Sequence, residues 1–336
     1  MLKRVLSGMQ PTGRLHLGHY LGVLKNYVKL QSEYDCYFMA ANWHSLTAFY
    51  TNYKEAHQYI SPLISDWLAA GLDPEKSTIF VQSDVPFHTE LSLLLSMYTP
   101  VSWLERNPTY KEKQENIDKD IDSYGFLGYP VLQAADIFLY KGELVPIGED
   151  QLPHLELSRE IARRFNHINK LEGKNAIIEP KPLLSENPKV SGTDGRKMSK
   201  SYGNTLSLSE DENDLRDKMK KMKTDTGRVK RTDVGNPDNC PVFTYYNYFL
   251  PARKMEIDSQ CRSAGIGCID CKNIISDQIV KETEPFRESR KKNIENPDLI
   301  KSILEAGAKK ARKTAGETIA NLKDSIGMNS DYRILI

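Results

Sequence analysis

No run of the 336 residues has the apolar length that a bilayer span needs, and Met1-Leu2-Lys3-Arg4 leads straight into a strand pattern instead of a signal-peptide core. A soluble, cytoplasmic protein without membrane contact is expected. Neither charge sign dominates: 46 Lys and Arg face 45 Asp and Glu, a net charge of +1. That balance excludes a polycation gripping nucleic acid with its whole surface, so RNA would have to be held by local basic patches. There is no internal repeat and no long low-complexity tract, which excludes a solenoid array. Cysteine is scarce, with five residues in all. Cys36 lies in the apolar run 36–41 and reads as a small core hydrophobe. The other four fall within 240–271, where clustering in a reducing compartment favours a metal site over disulfides.

Two stretches carry the chemistry. The first is Ser7-Gly8-Met9-Gln10-Pro11-Thr12-Gly13-Arg14-Leu15-His16-Leu17-Gly18-His19-Tyr20, which reads as strand, loop and helix start. His16 and His19 fall on the first helical turn, and Gly18 between them lets a flat ring lie against bare backbone. Such a corner suits a nucleotide, with phosphates at the positive helix end. Alone it could be two surface histidines near a helix cap. The second stretch is Lys197-Met198-Ser199-Lys200-Ser201, following a loop rich in Gly, Ser, Thr and Asp (191–196), where two lysines can swing onto a polyphosphate. A charge run of this kind is usually only solvated. The pair of stretches, with an α/β pattern between them, is the stronger signal.

Between them the chain alternates strand and helix: strands at 36–41 and 78–81, a helix carrying Tyr59, Ile60, Leu63, Ile64, Trp67 and Leu68, and a strand at 144–147. The order β-α-β-α-β predicts a doubly wound parallel sheet of Rossmann type, with ligands at the carboxyl ends of its strands. Residues about 88–127 interrupt the alternation as an insertion, within which Lys113 could complete a pyrophosphate site. Gly128-Tyr129-Pro130 opens a helix on which Tyr129, Gln133, Asp136 and Tyr140 form a polar stripe. Asp136, flanked by Ala134, Ala135, Ile137 and Phe138, needs a partner; an arginine would be the purely structural one. Gly148-Glu149-Asp150-Gln151 enters the helix over 155–165, as an N-cap or as acceptors for ribose hydroxyls and an amino acid. Beyond Ser201 charged helical segments (211–223, 277–292, 298–326) replace strands, so a mainly helical region is expected from 206. Its densest basic patch is Lys218, Lys220, Lys221, Lys223, Arg228, Lys230 and Arg231, a solvated face or a phosphate-contacting surface.

The two corner motifs resemble those of class I aminoacyl-tRNA synthetases, and the whole chain resembles the bacterial tryptophanyl-tRNA synthetase family. Ser7–Pro11, Tyr129-Pro130-Val131-Leu132-Gln133-Ala134-Ala135-Asp136, Val145-Pro146-Ile147-Gly148-Glu149-Asp150-Gln151 and 197–201 carry the resemblance, with Phe80-Val81-Gln82-Ser83 and Leu104-Glu105-Arg106 in step. It implies a catalytic domain over 1–205 and a helical anticodon-binding domain over 206–336. It implies ATP-dependent joining of L-tryptophan to its tRNA through tryptophanyl-adenylate, with Mg²⁺, in a homodimer. By the resemblance, Lys197, Lys200, Ser199, Lys113, His16 and His19 would act on the phosphates. Gln10, Pro11, Thr12, Gly18, Gly148, Glu149, Asp150, Val190, Met198 and Ser201 would help hold the nucleotide. Asp136 would accept the indole N–H, and Tyr129 and Gln151 would take the α-ammonium. Gln133 would share that pocket, with Leu6, His44, Val145 and Ile147 lining the ring. Gln133, Asn42 and His19 stand where many members carry methionine, aspartate and asparagine.

The cysteines Cys240, Cys261, Cys268 and Cys271 offer four thiolates suited to tetrahedral zinc or a four-iron cluster. The pattern is close to one in a subset of the family that carries a [4Fe–4S] cluster, although the first gap differs; zinc stays open. The rival readings are tyrosyl-tRNA synthetase, a synthetase-derived RNA- or nucleotide-binding protein without catalysis, and a small H-x-G-H nucleotidyltransferase.

Overall fold

Alternation of side chains along the strands gives the sheet two apolar faces. In β1 (Arg4–Met9), Val5 points to one face and Leu6 to the other. In β2 (Asp35–Ala40), Cys36 and Phe38 oppose Tyr37 and Met39, and in β3 (Ser77–Val81) Ile79 and Val81 oppose Phe80. The structure, a computed structural model, describes residues 2–108, 110, 123–173, 176–184 and 190–328. β4 (Leu144–Ile147) and β5 (Lys181–Leu184) complete a five-stranded, all-parallel sheet in the order β3-β2-β1-β4-β5. The chain direction of winding reverses between β1 and β4, and a crevice opens there at the carboxyl ends.

The expected strands form within a residue of their predicted ends, but β5 has no sequence signal. It is a short edge strand with a proline and mostly exposed side chains. Leaving β1, α1 (Leu17–His19) runs through a π-helical stretch (Tyr20–Leu24) into α2 (Lys25–Leu30). Next come α3 (Asn42–Phe49), α4 (Tyr53–His57), α5 (Ile60–Ala69), α6 (Phe87–Ser96), α7 (Val101–Glu105), α8 (Tyr124–Leu139) and α9 (Leu152–Ile168). After β5 follow α10 (Glu212–Lys221), α11 (Tyr246–Phe249), α12 (Lys254–Arg262), α13 (Cys268–Ile294) and α14 (Pro297–Ser325).

The helices beyond 206 pack onto the sheet's own core. Ile275, Ile279 and Phe286 of α13 join the apolar cluster on the Val5 face together with α5, while Ala308, Ala311 and Ala315 of α14 join the Leu6 face. α14 reaches that position by crossing the free edge of β3. A Cβ on Gly307 would lie 1.8 Å from the Ile79 carbonyl oxygen, so only glycine permits the approach.

Candidate active site

The two signature stretches meet. Leu17 N–H donates to the Leu206 carbonyl at 3.0 Å and Leu208 N–H to the Leu15 carbonyl at 2.9 Å, with His16 and Ser207 bridged antiparallel between them. Downstream of β5 the chain thereby adds a two-residue ladder to the opening loop. Lys200 Nζ closes the join, donating to the Gly13 carbonyl at 3.1 Å. The loop that carries Lys197 and Lys200 is organised by Asn204, a buried residue with no standing in the sequence analysis. Its side chain accepts from Ser199 N–H at 2.8 Å and donates to Asp194 and to the Lys197 carbonyl. Gly192 is required opposite it, since a Cβ there would meet Asn204 at 2.3 Å. Lys197 is exposed, Met198 is buried, and Val190 packs 3.9 Å from where a Gly18 Cβ would be. Lys113 lies outside the described residues, as does much of the predicted insertion.

The ring that rests against Gly18 is His16's own, its atoms 3.0 Å from a would-be Cβ. The His16 and His19 rings lie 3.7 Å apart. Burial, with Lys200 nearby, drives His16 down to about 4. Burial, His16 and Lys200 drive His19 down to about 2. Both imidazoles are therefore neutral near pH 7 and offer no charge; His19 Nδ1 accepts from the His16 backbone N–H at 3.3 Å, which leaves its Nε2 as the donor. His16 Nδ1 is buried with no hydrogen-bond partner among the described residues, a polar atom left over for a ligand.

Beside this corner a cleft of about 410 Å³ opens between β1 and β4. Its wall includes Leu6, Gln10, His19, His44, Tyr129, Gln133, Asp136, Val145, Ile147, Gly148, Asp150 and Gln151. Twelve of the expected site residues are thus brought together, whereas Pro11, Thr12, Glu149 and the 197–201 loop stay outside that wall. Gln151 Nε2 donates to Asp150 at 3.1 Å, and the Tyr129 hydroxyl lies 3.2 Å from His154 Nε2. Asn42 does not face the cleft. It fastens the turn after β3 through Ser83 and Tyr53.

Asp136 is 1 % exposed, and its partner is not an arginine. His44 Nε2 donates at 2.8 Å, His88 Nδ1 at 2.6 Å, and Gln82 Nε2 reaches both carboxylate oxygens at 2.9 and 3.0 Å. Burial alone would raise its pKa, but the bonds from His44 and His88 outweigh it and the net shift is downward. The group is then a carboxylate that only accepts, so both histidines present N–H to it. In a neutral His88 ring the other nitrogen accepts from the Tyr140 hydroxyl at 2.8 Å. Gln82 and His88 are partners of Asp136 that sequence reasoning missed. Gln82 was legible as a strand end, and His88 gave no signal. An indole N–H expected at Asp136 would have to share acceptors already in use.

The family model for class I tRNA synthetases (W and Y) matches residues 3–283. A tryptophan–tRNA ligase of Thermotoga maritima is 46% identical across 97% of this chain and 99% of its own length; one of Ralstonia nicotianae is 41% identical across 97% and 98%. The chain belongs to the class I tryptophan–tRNA ligase family. A tryptophanyl-tRNA synthetase from Campylobacter jejuni, solved with ADP and tryptophan, superposes with a TM-score of 0.86 at 34% identity, covering 96% of this chain and 99% of that one. A tyrosyl-tRNA synthetase from Aeropyrum pernix, at 18% identity and a TM-score of 0.65, shares the fold alone.

This tryptophan–tRNA ligase family member departs from the expected metal centre. Cys240, Cys261 and Cys268 all act electrostatically on Cys271, so the four thiols do gather. Yet among the described residues no group of three or more His, Cys, Asp or Glu side chains is placed to hold a metal ion. Burial, against a hydrogen bond with Tyr246, pushes the Cys271 thiol up to about 11, with the neighbouring cysteines adding to it. Cys268 and Cys271 sit on the first turn of α13, which begins nine residues earlier than the sequence pattern predicts. The basic patch is also divided. Lys218 pairs with Glu210, and Arg228 and Arg231 bond to backbone carbonyls, leaving Lys220, Lys221, Lys223 and Lys230 exposed.

Proposed function

We propose that the cleft activates L-tryptophan with ATP as tryptophanyl-adenylate and that the protein then passes the acyl group to the terminal ribose of its tRNA. The observation that carries this reading is the meeting of the two signature stretches, Lys200 on Gly13 and Ser207 on His16, beside a cleft that ends in the buried carboxylate of Asp136. Attack of the amino-acid carboxylate on the α-phosphate forms a P–O bond and expels pyrophosphate, with negative charge gathering on the phosphate oxygens. Such a step needs fixed cations and donors more than a base. Lys200, Lys197, Ser199 and Lys113 serve the phosphates in this reading, and the neutral His16 and His19 donate hydrogen bonds there. Mg²⁺, arriving with the triphosphate, supplies further charge neutralisation. Gln10, Gly148 and Asp150 serve the nucleoside. Tyr129, Gln133 and Gln151 serve the amino acid, with Leu6, Val145 and Ile147 against the ring. The indole N–H shares Asp136 with His44, the one of its partners that also faces the cleft.

Tryptophan, and not tyrosine, should drive ATP–pyrophosphate exchange. Asp136→Ala should lower kcat/KM for tryptophan by roughly 10²-fold or more while the KM for ATP stays within about twofold, because three buried donors lose their acceptor. Exchange driven by tyrosine, or none at all, would reject the reading.

For the helical region from 206 we propose anticodon binding, with the exposed lysines at the end of α10 and beyond it on the RNA backbone. For the oligomer we propose a homodimer through the apolar groove of about 490 Å³ formed by α3, α6, α7 and α8, where Leu93, Val101 and Tyr124 are exposed. Leu93→Glu should then give a monomer in sedimentation. For the four cysteines we keep an iron–sulfur cluster as the proposal, with zinc the alternative. Brown protein with visible blue absorption after anaerobic purification supports iron, and metal-free protein at full activity rejects both.

A further inference from the structure

The polar stripe on α8 ends one turn beyond Asp136 at Tyr140, the member of that stripe without a place in the proposed chemistry. Tyr140 caps the helix and is fully buried, as is His88, the second residue of α6. The imidazole is gripped at both nitrogens by residues one turn apart on the same helix. Nδ1 donates to Asp136 Oδ1 at 2.6 Å, and Nε2 accepts from the Tyr140 hydroxyl at 2.8 Å. Tyr140 is in turn held from several directions. Its ring stacks on Tyr37 of β2 with centroids 4.8 Å apart and leans on Phe80 of β3 at 5.4 Å, and its backbone carbonyl accepts from Arg4 at 3.2 Å. The Tyr37 hydroxyl lies 3.1 Å from Thr314 Oγ1 of α14, so sheet and C-terminal helix brace the pair of rings together.

The two oxygens of Asp136 are not equivalent. His88 stands outside the cleft wall and occupies Oδ1, whereas His44 is part of that wall and occupies Oδ2, and Gln82 spans both. Oδ2 is therefore the oxygen that a donor from the cleft can share, provided the carboxylate does not turn about its own bond. We infer that Tyr140 is a positioning residue for tryptophan recognition: acting through His88, it holds Oδ1 from behind so that Oδ2 stays aimed at the indole N–H. With phenylalanine at 140 the imidazole keeps a single anchor, and its Nε2 becomes a buried acceptor without a donor. The ring is then free to shift toward another partner, and the carboxylate bonded to it follows. The inference deepens the proposed tryptophan chemistry and rests on it.

Pyrophosphate exchange by the full-length protein with two amino acids separates the two. Tryptophan presents an N–H, and β-(3-benzothienyl)alanine has nearly the same shape with sulfur in its place. Tryptophan-driven exchange by the unaltered protein tests the proposed function alone, whereas the preference for tryptophan over the sulfur analogue reads the role of Tyr140. Tyr140→Phe should lower kcat/KM for tryptophan about tenfold, through KM, and leave the analogue and the KM for ATP within about twofold, so that the preference falls about tenfold. Tyr37→Phe deletes a neighbouring buried hydroxyl without touching His88 and should keep the parent's preference. In His88→Asn, whose shorter amide gives up the bond to Tyr140, adding Tyr140→Phe should change the preference no further. Equal losses for both amino acids in Tyr140→Phe would make the ring merely structural and overturn the inference, as would an unchanged preference. So would a Tyr37→Phe protein that loses as much, or a Tyr140→Phe effect that persists in full beside His88→Asn.

Discussion

At the scale of single residues, the site depends on a buried carboxylate whose partners come from far along the chain. The importance of Asp136 could be read from its apolar neighbours, but not its partners: His88 is 48 and Gln82 is 54 residues away, and nothing local ties either to Asp136. The arginine that local reasoning supplies in such cases is at Asp66 instead. Replacing His88 with leucine removes one donor from Asp136 and strands the Tyr140 hydroxyl, at an expected cost of about 1–3 kcal/mol in chemical denaturation. It should also let the Asp136 pKa rise. Asp66 makes an opposite prediction in pH. Burial, against the opposing effects of Arg290, the Leu15 amide and Lys200, raises it to about 6, so the folded chain binds that proton more tightly than the unfolded one. Its contribution therefore falls as pH rises from about 4 to about 6 and is level above, a change on the order of 3 kcal/mol. Urea titrations of Asp66→Asn across that window should lack this decline; an identical decline would assign it to another group.

At the scale of elements, hydrophobic alternation made β1 to β4 legible, and the helix at 298–326 was legible in extent, since α14 spans Pro297–Ser325. Its destination was not. The face it lays on the sheet consists of Ala308, Ala311 and Ala315, small residues that leave almost no hydrophobic periodicity among the lysines. Close approach needs that smallness, and Gly307 marks the closest point. Gly307→Ala places a methyl group inside the Ile79 carbonyl, so α14 must lift from the edge of β3. A loss of about 3 kcal/mol or more is expected in thermal melting, whereas the same change at Gly316, where a Cβ would meet only a Phe87 ring edge at 3.3 Å, should cost far less. Equal effects at both positions would show that the edge contact does not hold the helix.

At the scale of the whole molecule, a net charge of +1 leaves no general attraction for RNA, so binding must come from the few lysines that the fold leaves free. Sequence alone groups seven basic residues in and after α10, and the structure gives four of them internal partners, Lys220 only an exposed one in Asp217. Lys218 is spent on Glu210, and Arg228 and Arg231 on carbonyls of the segment 264–266 and of Arg231 itself. Lys272 adds a further constraint, donating to the Lys220 carbonyl at 2.7 Å and fixing the end of α10 from which the free lysines project. If these lysines meet tRNA phosphates, each neutralised charge should steepen the dependence of log affinity on log salt by somewhat under one unit. Changing Lys220, Lys221 and Lys223 together to glutamine should therefore flatten that slope by about two units and weaken tRNA binding most at low salt. Tryptophan-driven pyrophosphate exchange, which needs no tRNA, should be unchanged in the same protein. A slope that does not move would place the RNA on another face of the molecule, and a loss of exchange would mean that the lysines serve the fold of α10 rather than the RNA.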